Sequence, residues 1–337
     1  MVLAALLVAG FRVPVPEQPA RPEKWRLEIP LGLDAYMPVP EGNPLTPEKA
    51  VLGRRLFFDR GLSRDRSTAC ATCHDPRRAF TDGRAVSMGV FGRRGTRNVP
   101  TLLNRGYGAS FFWDGRASSL EDQVLKPIQD SKELGMTIEE VMTRLKADRA
   151  YRRLFRAAFA SEGKDSINAE NLARALASYL RTILAGRSPV DRYLSGDRDA
   201  LSEQARRGLN LFRGKANCAA CHLGPNFTDE RFHNTGVAWR EGQWLDPGRF
   251  AVTGKEADSG AFKTPTLREI ALTAPYMHDG GIPTLEQVIE FYDRGGNRNP
   301  YLDPEIRPLH LAGEDKQALL AFLRSLHGVI HEGPDHR

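Results

Sequence analysis

The 337-residue chain has no cysteine outside two copies of one five-residue motif, so no thiol is left for a structural disulfide. Its N-terminal apolar run, VLAALLVAGF at residues 2–11, falls well short of the ~20 residues a membrane-spanning helix needs. There is no block of like charge. The 48 Lys and Arg are interspersed with 42 Asp and Glu, so the net charge of +6 describes a solvated surface, and no nucleic-acid partner is expected. Strict apolar–polar alternation is nearly absent, which argues against a sandwich or barrel. A hydrophobic fraction of 41% with 27% charged residues excludes a disordered chain.

All four cysteines lie in CxxCH motifs: Cys70-Ala71-Thr72-Cys73-His74 and Cys218-Ala219-Ala220-Cys221-His222. This is the attachment signature of c-type haem, in which two thiols form thioethers with the vinyl groups and the adjacent His binds iron. A zinc site or a redox CxxC is the alternative. Four-sulfur zinc would leave His74 and His222 as a coincidence, and no thioredoxin-like βαβ pattern surrounds either motif. Two haems are therefore expected. Thioether attachment takes place outside the cytoplasm in bacteria. The apolar run, followed by a Pro-rich stretch at 14–22, resembles the core of a secretory signal, although a basic leading segment is missing. Residues 1–22 are read as a signal- or anchor-like segment, and a periplasmic location is expected.

The chain also repeats itself. Phe80-Thr81-Asp82 follows the first motif and Phe227-Thr228-Asp229 the second. Pro100-Thr101-Leu102 matches Pro265-Thr266-Leu267. Counting from those prolines, Asp114-Gly115 and Asp279-Gly280 both begin 14 residues on, and Ser119-Leu120-Glu121 and Thr284-Leu285-Glu286 both begin 19 on. Two related haem domains follow, 23–190 and 191–337, with the boundary near 186–196. Helix-start signals stand at Thr46-Pro47-Glu48 and Ser202-Glu203, and helical periodicity recurs at 138–159, 169–183, 285–292 and 316–326. The fold class is mainly α, with loops to wrap the haems. Whether the C-terminal helix packs back on the first domain stays open.

The register also compares the two iron environments. Pro127 lies 27 residues after Pro100, and Tyr292 lies 27 after Pro265. If that position faces the open side of each haem, Tyr292 offers a phenolate oxygen and Pro127 nothing, leaving one iron closed and one open. The competing reading makes Tyr292 a core aromatic of its helix.

From about Leu45 to Leu326 the sequence resembles the bacterial di-haem cytochrome c peroxidase family, which includes MauG. The resemblance rests on LFFD at 56–59, both CxxCH motifs, RNVPT at 97–101, FWDGR at 112–116, FHNTG at 232–236, TPTLR at 264–268 and LTAPYMHDG at 272–280. It implies two tandem cytochrome c-like domains, each with one covalently bound haem, and a reaction with hydrogen peroxide. The oxidising equivalents would pass to a redox protein donor or to a protein substrate.

Residue by residue, the resemblance implies that His74 is the proximal ligand of a peroxide-binding haem, with Gln123 and Glu133 on its distal side. It makes His222 the proximal ligand of an electron-storing haem, with Tyr292 or, as competitor, Met277 as sixth ligand, and it places Trp113 between the two. It implies a calcium ion bound near Asn98, Thr273 and Pro275, the last two through backbone carbonyls. Two departures from the pattern stand out. Val90 replaces the His with which ordinary family peroxidases block the first haem, so that haem is expected to be open. Ala216 replaces the Trp through which MauG reaches its protein substrate, which leaves the route to any such substrate unassigned.

Overall fold

The computed structural model describes residues 25–160 and 166–334; the signal-like segment 1–22 lies outside them. In chain order the elements are α1 (Pro47–Phe57), α2 (Cys70–Cys73), α3 (Leu120–Gln129), α4 (Ile138–Ala147), α5 (Arg149–Ala158), α6 (Ala169–Arg181), β1 (Leu184–Gly186), α7 (Pro189–Leu194), α8 (Glu203–Arg213), β2 (Phe232–His233), β3 (Trp239–Arg240), β4 (Gln243–Trp244), α9 (Phe250–Thr253), β5 (Phe262–Lys263), α10 (Leu285–Asp293), α11 (Gly313–Arg324) and β6 (Val329–His331). The strands pair two by two, β1 with β6, β2 with β5 and β3 with β4.

The helices begin where side chains can satisfy their free N–H groups. The Thr46 hydroxyl accepts from Lys49 N at 3.3 Å and that of Ser202 from Ala205 N at 3.2 Å, opening the equivalent helices α1 and α8. Ser119 and Thr284 do the same for α3 and α10. The helical stretch expected over 138–159 is two helices, because the Asp148 carboxylate accepts from both Ala150 N (2.6 Å) and Tyr151 N (3.2 Å). A cap there starts a new helix rather than continuing the old one.

Two apolar clusters form, one drawn from Leu52 to Ala185 and one from Val190 to Leu326. Each is built on a helix crossing that needs glycine. A Cβ on Gly53 of α1 would stand 2.0 Å from the Ala175 carbonyl oxygen and 2.8 Å from Tyr179 Cβ on α6. A Cβ on Gly208 of α8 would meet Ala318 O and Phe322 Cβ on α11 at the same two distances. The repeat read in the sequence is therefore a repeat of packing.

At the join, Arg268 is 1% exposed and pairs with Asp191 (3% exposed) through bonds of 2.8 and 2.9 Å, while its Nη2 donates to Gly32 O at 2.6 Å. Helix α11 packs on α8 in its own half. The strand beyond it reaches the first half, where β6 pairs antiparallel with β1 and Glu332 accepts from Arg54 Nε (2.8 Å) and the Tyr179 hydroxyl (3.2 Å).

The halves meet about an approximate two-fold axis. Asn98 N donates to His278 O at 2.7 Å, and Lys263 N donates to Trp113 O at 2.8 Å. Asn98 and Lys263 both stand two residues before the shared proline, and Trp113 and His278 both stand 13 after it. Each half thus offers the same donor to the same acceptor of the other, as in a self-complementary interface.

Candidate active site

A largely apolar cavity of about 900 Å³ runs between the halves and is lined by both CxxCH motifs. In each motif the local fold fixes the histidine. His74 Nδ1 lies 3.0 Å from Phe80 O, and His222 Nδ1 lies 2.9 Å from Phe227 O. A carbonyl can only accept, so Nδ1 carries the proton and Nε2 is left available to a metal, with the ring oriented by its second bond. Both phenylalanines belong to the repeated Phe-Thr-Asp tripeptide, and both hold left-handed backbone, φ 58° and 51°. Burial lowers the pKa of both imidazoles, which favours the neutral, ligating form.

The four thiols are free, half-buried and face the cavity. Burial pushes Cys70 and Cys218 up to about 12 and Cys73 to about 11, unlike a reactive thiolate. Among the described residues their sulfurs do not converge. The one compact group of three or more metal-ligand side chains among the described residues is Cys221, Asp229 and His233, in which His233 is clasped by Asp229 and Asp303. Four-sulfur zinc is thereby excluded. Two separated Cys-His sets on the wall of one apolar cavity fit c-type haem.

On the first side Trp113, Gln123, Pro127 and Glu133 line the cavity. Trp113 is fixed by its indole N–H, which donates to Asn98 O at 2.8 Å. Gln123 and Pro127 stand one turn apart on α3. Burial, helped by Asp130 and opposed by Arg116, pushes the Glu133 carboxyl up to about 7. The 87–95 loop lies directly on this segment: Val90 N donates to Glu133 O at 2.9 Å, and a Cβ on Gly89 would stand 2.0 Å from Lys132 O. Val90 itself is fully buried and does not line the cavity, so its side chain packs into protein.

On the second side Tyr292 lines the cavity, whereas its neighbour Phe291 is buried in protein. Burial pushes the Tyr292 hydroxyl well above its usual range, and the Cys218 and Cys221 thiols of the second motif push in the same direction. Met277 also lines the cavity, in left-handed backbone (φ 73°), and packs on the second apolar cluster. Asn98, Thr273 and Pro275 line the same cavity. Asn98 Nδ2 donates to Arg84 O at 2.8 Å, which turns the amide oxygen the other way.

Comparison with known proteins decides the family. The family model for di-haem cytochrome c peroxidase matches residues 47–199. The methylamine utilization protein MauG of Methylorubrum extorquens is 44% identical over 292 residues, 86% of this chain and 81% of that one. The chain belongs to the di-haem cytochrome c peroxidase/MauG family. The cytochrome c551 peroxidase of Nitrosomonas europaea is 35% identical over 297 residues, 88% of this chain and 84% of that one. A crystal structure of a MauG-like protein associated with microbial copper homeostasis superposes with a TM-score of 0.83 at 35% identity, covering 90% of this chain and 96% of that one.

The chain is thus a haem peroxidase, an oxidoreductase with two haems, and its mainly helical two-domain fold is that of its relatives. Among the described residues no helix is long and apolar enough to cross a membrane. Among the charged residues that line the cavity, Arg105 and Lys263 were not singled out from the sequence, nor was Glu230, which pairs with both. Lys263 had a signal available, because it occupies the repeat position of Asn98.

Proposed function

We propose that this family member is a MauG-like peroxidase in which hydrogen peroxide is reduced on the His74 side and oxidising equivalents are held on the Tyr292 side. The observation that carries the reading is the unequal pair at one repeat position: Pro127, which has no ligating atom, and Tyr292, both lining the cavity that both motifs line. Cys70, Cys73 and His74 would hold one haem, and Cys218, Cys221 and His222 the other. Bound there, the haems supply iron for the two-electron reduction of peroxide and a reservoir for the resulting oxidising equivalents.

The side chains handle protons and position. Reduction of H2O2 to two waters consumes two protons and two electrons. Glu133 takes the proton from the oxygen that stays and returns it to the oxygen that leaves, a task suited to a carboxyl held near neutral pH. Gln123 orients the peroxide by hydrogen bonding. Trp113, on the wall of the cavity that both sets share, would form the bridge for charge. Asn98 Oδ1 with the Thr273 and Pro275 carbonyl oxygens makes an all-oxygen set suited to calcium. Ala216 carries only a methyl group, so that position supplies no aromatic path to a protein substrate. The electrons come from a small redox protein or from a side chain of a partner protein. Secretion to the periplasm completes the reading.

The test is an absorption and EPR spectrum of the oxidised protein before and after one equivalent of peroxide. One high-spin and one low-spin haem, with both ferric signals lost on adding peroxide, is the expected result. Two low-spin haems would overturn the reading. Steady-state turnover with a reduced small cytochrome, unchanged in Tyr292→Phe, would replace it with a conventional cytochrome c peroxidase.

A further inference from the structure

The cavity wall where the halves meet carries a charge imbalance that neither haem attachment nor proton handling uses. Arg105 grips Glu230 with both terminal nitrogens, at 2.7 and 3.0 Å, so both carboxylate oxygens are engaged. The Lys263 side chain is only 9% exposed, and its Nζ stands 3.5 Å from Glu230 Oε2. That is longer than a charge-assisted N–H···O bond. The next acid along the chain, Asp229, is committed to His233 at 2.9 Å. The buried Lys263 and the partly buried Arg105 thus share one carboxylate, and both line the cavity. Burial and the Arg105 charge depress the Lys263 ammonium to about 7. A buried cation without a full partner is costly, and an anion delivered from the cavity would relieve it.

The repeat shows how unusual this corner is. Lys263 is the two-fold mate of Asn98, and Ser110 is the mate of Pro275, each ten residues after its shared proline. Arg105 Nη2 donates to Ser110 O at 3.0 Å. On one side of the axis the position is taken by the neutral Asn98 amide. On the other side the Lys263 ammonium takes the equivalent place, with the Arg105 guanidinium next to it on Glu230. A site with a surplus positive charge, facing a cavity that takes haems, is matched by a haem carboxylate.

We infer that Lys263, supported by Arg105 and Glu230, binds a propionate carboxylate of a haem at the boundary between the halves. The inference rests on the di-haem reading above. Strand β5 runs on into Thr264–Leu267 beside His222, while Arg105 follows the matching segment of the first half, so the carboxylate can belong to either haem. The chemistry is shared, and the potentials distinguish the two.

The experiment is a spectroelectrochemical titration of the holoprotein and of its Lys263→Met and Lys263→Arg variants, after haem content is measured by pyridine haemochrome. Loss of the cation leaves the carboxylate uncompensated and favours the oxidised haem. Lys263→Met should therefore lower the midpoint of one haem and make it pH-dependent near neutrality, as the carboxylate takes up a proton instead. Lys263→Arg should keep the original midpoint and slope. The haem that shifts is the owner of the carboxylate. Unchanged midpoints at both haems in Lys263→Met would overturn the inference while leaving the di-haem reading intact; absence of two haems per chain would overturn that reading itself. Lys263→Gln provides the same comparison should the Met variant not accumulate.

Discussion

The proton-handling role of Glu133 makes a quantitative prediction. Its carboxyl is held at about 7, with burial the largest cause, Asp130 adding to it and Arg116 opposing. A proton acceptor must be ionised, so the sign is fixed: reaction with peroxide should rise with pH through that value. One unit below it ~9% of the molecules carry the carboxylate and one unit above it ~91%, so the rate should climb about tenfold across those two units. Glu133→Gln keeps the shape but cannot take a proton. It should lower the second-order rate with peroxide by about 10²–10⁴-fold and remove the acidic limb of the profile. Stopped-flow mixing of the oxidised protein with peroxide across that pH range measures both effects. If Glu133→Gln retains the same limb, another group carries the proton, and the assignment fails.

Other consequences can be measured separately. Gly89→Ala drives a Cβ into Lys132 O and the Glu133 backbone, so peroxide reactivity should fall while the helical circular dichroism stays unchanged. Gly53→Ala and Gly208→Ala should each destabilise by about 1–3 kcal/mol or more through overpacking, read as a lower denaturation midpoint. Asp191→Ala strands the buried Arg268 guanidinium and should cost about 3–5 kcal/mol in the same assay. Tyr292→Phe should alter the EPR signal of the second haem alone; an unchanged low-spin spectrum would pass the ligand role to Met277.

Much of this was legible because the chemistry is local. A CxxCH motif needs only five consecutive residues, and the repeat register carried the comparison of Pro127 with Tyr292. The caps at Thr46 and Ser202 are likewise local and lie where their sequence signals stand. Asp148 shows the limit of periodicity: apolar spacing continues across it, yet its side chain takes the next helix's first N–H groups and breaks the run. Glu133 was harder to read. Its own segment looks like surface, and its environment is made by the 87–95 loop, whose contact with it runs through backbone atoms. The crossing bonds from Asn98 N and Lys263 N leave no residue signature, since any amino acid but proline can donate them.

The two-fold relation explains how one duplicated scaffold can yield unequal sites. Helix crossings at Gly53 and Gly208, the histidine-orienting carbonyls of Phe80 and Phe227, and the reciprocal bonds across the axis are shared, and all depend on backbone geometry. The halves differ in the elements inserted between these shared points and, at matched positions, in side chains: Pro127 against Tyr292, Asn98 against Lys263, Trp113 against His278. Such substitutions leave the shared framework in place, so each half can change its ligand, charge or aromatic bridge without losing the interface. The reciprocal bonds then have a functional consequence. Each ties a residue two before one half's proline to the segment carrying the other half's Trp113 or His278, so neither cavity wall can shift without its mate. A substitution that loosens one crossing bond should disturb both haem environments, whereas one at Pro127 or Tyr292 should disturb only its own.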